Sequence, residues 1–191
     1  HEPIGRFHPF DGDGMIHSIN FDNGTANYIN KFVRTEGFLV EQEMGRSMWA
    51  GLMERAGTSS LPGWGAQGGI KDSSSTDITV HAGVPLSTFY QCGEGYQLHP
   101  FTLETEKKAS WVPSGGLSAH PKVDLATGEL LFFNYSKQAP YLHYGVVDHQ
   151  KNLKHFIPVE LPGPRLPHDM AFSQNYSIIN DLPLFWDQEM L

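Results

Sequence analysis

Hydrophobic and polar positions alternate along most of the chain in short runs that turn residues separate. The first two runs, residues 15–21 and 26–34, flank an Asn23-Gly24 pair, which is typical of a two-residue β-hairpin turn. Further strands are predicted at residues 76–81, 85–91, 96–98, 102–105, 128–135, 141–147, 153–161 and 171–184. The pattern predicts an all-β protein of repeated antiparallel hairpins, and by itself it does not choose among a barrel, a sandwich and a propeller.

One stretch departs from this alternation. Met44, Met48, Trp49 and Leu52 recur three or four positions apart, which predicts a short helical insertion over residues 41–55. Such a methionine stripe is more often core than a lipid-contacting face, and both readings stay open. Residues 56–75 are rich in Gly and Ser and are predicted to form a long loop, and loops of this length are often functional.

Composition narrows the function classes. The 191 residues, 39% of them hydrophobic, suffice for a core, and 13 Lys plus Arg against 21 Asp plus Glu give a net charge of -8 that disfavours nucleic acid as a partner. The single cysteine, Cys92, excludes an internal disulfide and a Cys-based zinc site, so a cytoplasmic location is expected. An apolar run of about 18 residues and a secretory signal are both absent, which leaves a peripheral membrane contact open.

The ten histidines are the remaining anomaly, because histidine is the commonest metal ligand. Two of them, His120 in Ala-His-Pro and His168 in Pro-His-Asp, are 48 residues apart (168 minus 120), too far for any local metal motif. Taken alone, each fits a surface or packing histidine better than a ligand. The Asp-Gly-Asp-Gly run at residues 11–14 lacks the acidic spacing of a calcium loop and is interpreted as a structural turn.

Three segments together resemble the carotenoid cleavage oxygenase family, which includes carotenoid, apocarotenoid and lignostilbene dioxygenases and the retinal isomerohydrolase. They occur in the family's order, and the resemblance covers nearly the whole chain. The segments are FDGDGM (10–15) with NKFVRT (30–35), SAHPKVD (118–124) with TGELLFF (127–133), and LPHDMAF (166–172) with NDLPL (180–184).

The resemblance implies part of a seven-bladed β-propeller with one Fe(2+) on its axis, held by four histidines from different blades. His120 and His168 match the first two ligands, and the other two are expected beyond Leu191. Residues 1–191 would then be a partial propeller domain, truncated at both ends and inactive alone. Neutral imidazoles suit Fe(II) and leave positions for O2, so no catalytic residue separate from the metal site is expected.

Each ligating imidazole needs an acceptor for its other ring N–H, and a carboxylate is the usual one. Glu94 matches the family's first such glutamate, and His168 is the histidine it is expected to orient. Lignostilbene-cleaving members carry a lysine just before that glutamate, whereas Gly93 stands there in this chain. A phenolic stilbene is therefore disfavoured as the substrate, and a carotenoid or apocarotenoid is preferred.

The implied function is a non-haem Fe(II)-dependent dioxygenase that cleaves a carbon-carbon double bond of an apolar conjugated alkene with O2 to give two carbonyl products. A stilbene-cleaving dioxygenase or an isomerohydrolase on the same scaffold is one alternative. A non-catalytic propeller that serves as a binding module is another.

Overall fold

The computed structural model describes residues 4–66 and 68–184. Within them the chain forms twelve short strands, all paired antiparallel, and one α-helix. The strands are β1 (Met15–Asp22), β2 (Thr25–Phe32), β3 (Asp77–His81), β4 (Val84–Thr88), β5 (Tyr96–Leu98), β6 (Thr105–Lys108), β7 (Lys122–Val123), β8 (Leu130–Tyr135), β9 (Tyr141–Val147), β10 (Leu153–Glu160), β11 (Met170–Phe172) and β12 (Ser177–Ile179). The predicted all-β class is confirmed.

Two four-stranded sheets form the centre of the described structure. Their strand orders are β3-β4-β5-β6 and β7-β8-β9-β10, so each strand pairs with its neighbour in sequence. The hairpin β1-β2 precedes these two sheets in the sequence, and the hairpin β11-β12 follows them. Four-stranded meanders in sequence order are typical of propeller blades.

Strand β8 is the most deeply buried strand of the second sheet. Successive side chains of a strand point to opposite faces, and here both faces are covered. Leu130 and Phe132 join a core shared with Leu86 and Trp111, whereas Phe133 packs on the other face in a second core. That second core contains Cys92, Tyr135, Leu142 and Met170. The second sheet is therefore packed between the first sheet and the β11-β12 hairpin. Full burial of each Phe side chain contributes about 1.5–3 kcal/mol to the stability of the fold.

Helix α1 spans Glu36–Met44, so the prediction of a helix over residues 41–55 was wrong in its bounds. Thr35 begins the helix because its side chain accepts a hydrogen bond from the backbone N–H of Phe38, and Gly45 ends it in the left-handed conformation at φ 64°. Met48 is buried while Met44 and Met53 are half exposed, so the methionines do not share one face. Among the described residues, no helix is long and apolar enough to cross a membrane.

Two strand predictions also need correction, and one strand was missed. Residues 171–184 were predicted as one strand, but residues 173–176 turn the chain between β11 and β12. Strand β6 begins at residue 105, where residues 102–105 were predicted, and β7 was not predicted because it has only two residues. Short strands carry too few alternating positions to be visible as a pattern.

Buried polar contacts fix the long segment between α1 and β3. Lys71 Nζ lies 2.6 Å from Asp13 Oδ1 and 2.8 Å from Glu41 Oε2, which joins the Asp-Gly-Asp-Gly loop, α1 and this segment. Asp11 accepts hydrogen bonds from the backbone N–H groups of His8 and Leu52. The structural interpretation of residues 11–14 therefore agrees with their contacts.

The close approach of Gly145 on β9 to the Phe132 ring gives a test of this packing. A Cβ at position 145 would overlap with that ring, so Gly145→Ala in the full-length protein should cost about 1–3 kcal/mol through overpacking. The thermal unfolding midpoint should fall by several degrees. Gly57→Ala is the matched control, because a Cβ there meets no atom within 4 Å, and equal midpoints for the two variants would contradict the packing described.

Candidate metal centre

Three strands of successive sheets lie side by side and carry the candidate site at their starts. Strand β7 contacts both β3 and β11. Asp77 is the first residue of β3, His120 lies two residues before β7, and His168 lies two residues before β11. Residues far apart in sequence therefore meet because their strands begin at the same edge.

The two predicted ligands, His120 and His168, are brought together. Their Nε2 atoms are 3.1 Å apart, and their ring planes are inclined by 75° with centroids 4.8 Å apart. A nitrogen ligand binds a divalent metal at about 2.1 Å, and two such ligands at right angles lie about 3 Å apart. The observed spacing is thus that of two imidazoles able to share one metal ion.

Asp77 holds the other side of the His120 ring, with its Oδ2 atom 2.8 Å from His120 Nδ1. A carboxylate accepts hydrogen bonds, so in the neutral ring the proton lies on Nδ1 and the Nε2 lone pair is available. His168 Nε2–H then donates to His120 Nε2. The hydrogen-bond chain runs from His168 through His120 to Asp77.

Backbone and ion-pair contacts fix the segments that carry the two rings. The buried Thr88 hydroxyl donates to the carbonyl of Ala119, and the Thr79 hydroxyl lies 3.4 Å from the carbonyl of Pro121. Both threonines belong to the sheet that precedes His120. Lys122 Nζ lies 2.7 Å from Asp169 Oδ1, which joins the residues that follow the two histidines.

The local electrostatics favour a neutral His168. Desolvation of its ring and the nearby His120 lower the pKa of His168, against the opposing effect of Asp169. Desolvation alone would raise the pKa of Asp169, but the hydrogen bonds from Lys122 and from the Met170 N–H outweigh it and lower that pKa. A neutral imidazole is the form that binds a metal.

The third predicted site residue, Glu94, is placed elsewhere. Its Oε1 atom lies 3.5 Å from Lys108 Nζ, and its backbone N–H donates to the buried carboxylate of Asp72 at 2.7 Å. Glu94 also borders a cavity of about 370 Å³ together with Trp64, Tyr135 and neighbouring loop residues. No contact joins the Glu94 carboxylate to His168 in the described structure; the carboxylate faces Lys108, whose nearer partner is Glu36 at 2.8 Å.

Sequence reasoning missed Asp77 as a partner of His120. Its only signal is a charged residue at the start of a strand, and that strand's place beside β7 is known only from the fold. Within the described part of the chain, no group of three or more His, Cys, Asp and Glu side chains could hold a metal ion. Two imidazoles suit Fe(II) in chemistry and spacing, and further ligands would be needed to complete a metal site.

Comparison with known proteins identifies the family. The family model described as retinal pigment epithelial membrane protein (RPE65) matches residues 1–191, and the chain belongs to this family. Carotenoid 9,10(9',10')-cleavage dioxygenase 1 of Pisum sativum is 30% identical over 96% of this chain and 37% of its own length. Isoeugenol monooxygenase of Pseudomonas nitroreducens is 32% identical over 93% of this chain and 38% of its own length.

Solved structures agree with the fold. The lignostilbene dioxygenase of Pseudomonas brassicacearum superposes with a TM-score of 0.83 at 28% identity, covering 98% of this chain and 39% of the other. The cobalt-substituted apocarotenoid oxygenase of Synechocystis gives a TM-score of 0.69 at 26% identity, covering 90% and 38%. The resemblance and the β-propeller class are confirmed, while the count of seven blades stays a prediction. The chain spans less than two fifths of the length of these relatives.

The position of Glu94 gives a test that separates the sequence-based role from the observed one. Because its carboxylate lies beside Lys108, Glu94→Gln in the full-length protein should leave iron affinity within about twofold of wild type. A carboxylate that orients a ligating imidazole would instead cost about 10- to 100-fold on removal. Iron affinity is measured by chelator competition, and a loss of that larger size would restore the predicted role.

Proposed function

We propose that this chain supplies two histidine ligands, His120 and His168, to a non-haem Fe(II) centre that cleaves a carbon-carbon double bond with O2. The observation that carries the proposal is the 3.1 Å separation of their Nε2 atoms at adjacent strand starts. Since the chain spans under two fifths of its relatives' length, the remaining ligands are assigned to the rest of the whole protein.

In the proposed iron centre, the residues of this chain hold and orient the two histidine ligands. His120 presents its Nε2 lone pair because Nδ1–H is engaged by Asp77. The lowered pKa of His168 favours the neutral ring, which would bind the metal through Nε2 once the Nε2 proton has moved to Nδ1. The Lys122–Asp169 ion pair keeps the two segments in register. Bound Fe(II) would supply O2 activation at positions that the histidines leave open.

The reaction is balanced without a reductant. Both atoms of O2 enter the products, one on each carbon of the broken double bond, so a disubstituted or trisubstituted alkene gives two aldehydes or ketones. The substrate proposed is a carotenoid, an apocarotenoid or a related conjugated alkene. The relatives named as carotenoid cleavage dioxygenase and apocarotenoid oxygenase support this class.

A stilbene or a phenylpropene is the second candidate substrate. It is favoured by the TM-score of 0.83 with a lignostilbene dioxygenase and by the 32% identity with an isoeugenol monooxygenase. A substrate panel separates the two candidates: the full-length protein is incubated with an apocarotenoid, a stilbene and isoeugenol under ¹⁸O2, and labelled carbonyl products are identified by mass spectrometry.

The metal assignment predicts a sharp difference among histidine variants of the full-length protein. His120→Ala and His168→Ala should each lose most bound iron and reduce double-bond cleavage by at least about 100-fold, since a direct ligand matters more than a residue that orients one. Iron is quantified by mass spectrometry, and folding is checked by circular dichroism.

His155→Ala is the matched control, because His155 is exposed on β10, away from the strand starts that carry the site. It should retain iron and activity. Near wild-type iron in a folded His120→Ala or His168→Ala protein would contradict the ligand assignment.

A further inference from the structure

Asp77 was not predicted as a site residue, and its contact with His120 is the starting point. The Oδ2–Nδ1 distance of 2.8 Å is that of a charge-assisted hydrogen bond. The Asp77 side chain is 37% exposed and the His120 side chain 22%. An exposed ion pair contributes little to the stability of a fold. Any role of Asp77 must therefore come from the orientation that it gives to the His120 ring.

The Asp77 carboxylate is held at both oxygens. Oδ1 accepts the backbone N–H of Ile78 at 2.7 Å, while Oδ2 faces His120. A carboxylate with both oxygens engaged has little rotational freedom. It therefore defines the direction of the imidazole N–H that it accepts.

Thr88 sets the distance between the two segments. Its hydroxyl lies 3.3 Å from the Asp77 carbonyl and 2.5 Å from the Ala119 carbonyl. Thr88 is fully buried and pairs directly with Asp77 in the β3-β4 ladder. One buried side chain thus contacts both the strand that carries Asp77 and the residue before His120.

We infer that Asp77 is a positioning residue that fixes His120 as the Nδ1–H tautomer and aims its Nε2 lone pair at the metal. The inference rests on the proposed function. Asp77 faces the nitrogen opposite the one that meets His168, so it acts through His120 and does not bind the metal itself. Removal of a carboxylate that orients a ligating histidine typically lowers metal affinity by about 10- to 100-fold.

The test uses the full-length protein with Asp77→Ala, which removes the acceptor, and Asp77→Asn, which keeps an amide oxygen without the charge. In metal-free protein labelled with ¹⁵N-histidine, His120 should be the Nδ1–H tautomer in wild type and lose that preference in Asp77→Ala. Fe(II) affinity, measured anaerobically by chelator competition, should fall about 10- to 100-fold in Asp77→Ala and less in Asp77→Asn.

Asp22→Ala is the control, because Asp22 is an exposed carboxylate at the end of β1 and takes no part in the candidate site. It should leave the His120 tautomer unchanged. If Asp77→Ala keeps the wild-type tautomer and affinity, the inference is overturned. If Asp77→Ala does not fold, Asp77→Leu, which is close to Asp in size and offers no acceptor, gives the same test.

The failure of the proposed function has a different signature. In that case a folded His120→Ala protein would keep its iron, whatever the tautomer of His120 in the Asp77 variants. If His120→Ala loses iron while the Asp77 variants match wild type, the metal-ligand assignment is supported and only the positioning role of Asp77 is rejected.

Discussion

The burial of β8 on both faces is the constraint on which the described structure depends. Phe132 packs in a core with Leu86 of the preceding sheet, and Phe133 packs in a core with Met170 of the following hairpin and with Cys92. Both faces of the sheet β7-β8-β9-β10 are therefore covered. This stacking places β7 between β3 and β11. The starts of the three strands then converge, and residues 77, 120 and 168 meet although 43 and 48 positions separate them.

The convergence explains what could and could not be predicted from the sequence. Hydrophobic alternation located most strands, since period two is visible in runs of about five residues or more. The pattern misplaced the helix, because Thr35 and Gly45 define its ends while the methionines beyond Gly45 are buried or exposed for other reasons. Strand β7 has only two residues, too few for an alternation of hydrophobic and polar positions to be recognised.

The residues of the candidate site likewise divide into those that the sequence could predict and those that only the fold reveals. His120 and His168 were predicted from motifs that resemble a family, and the structure brings them to 3.1 Å. Glu94 was chosen by its place in a motif, but the direction of a side chain depends on its neighbours, and the Glu94 carboxylate lies 3.5 Å from Lys108. Asp77 lies outside any motif, and its contact follows from the adjacency of β3 and β7, which is a property of the fold.

The spacing of the paired histidines suits a hydrogen bond and, under the proposed function, a shared metal ion. In the structure the Nε2 contact is a hydrogen bond. Under the proposed function, a shared ion at the same spacing would require the proton on His168 Nε2 to move to Nδ1. Preorganisation of this kind reduces the cost of assembling a metal site. Asp77, Thr88 and the Lys122–Asp169 pair hold the two segments in that arrangement.

Anomalous diffraction at the iron absorption edge, recorded from crystals of the iron-loaded full-length protein, tests the central claim most directly. The account predicts one strong peak within bonding distance of both His120 Nε2 and His168 Nε2, with Asp77 still on His120 Nδ1. A peak bonded to other residues, or two histidines that remain hydrogen-bonded to each other while iron lies elsewhere, would contradict it.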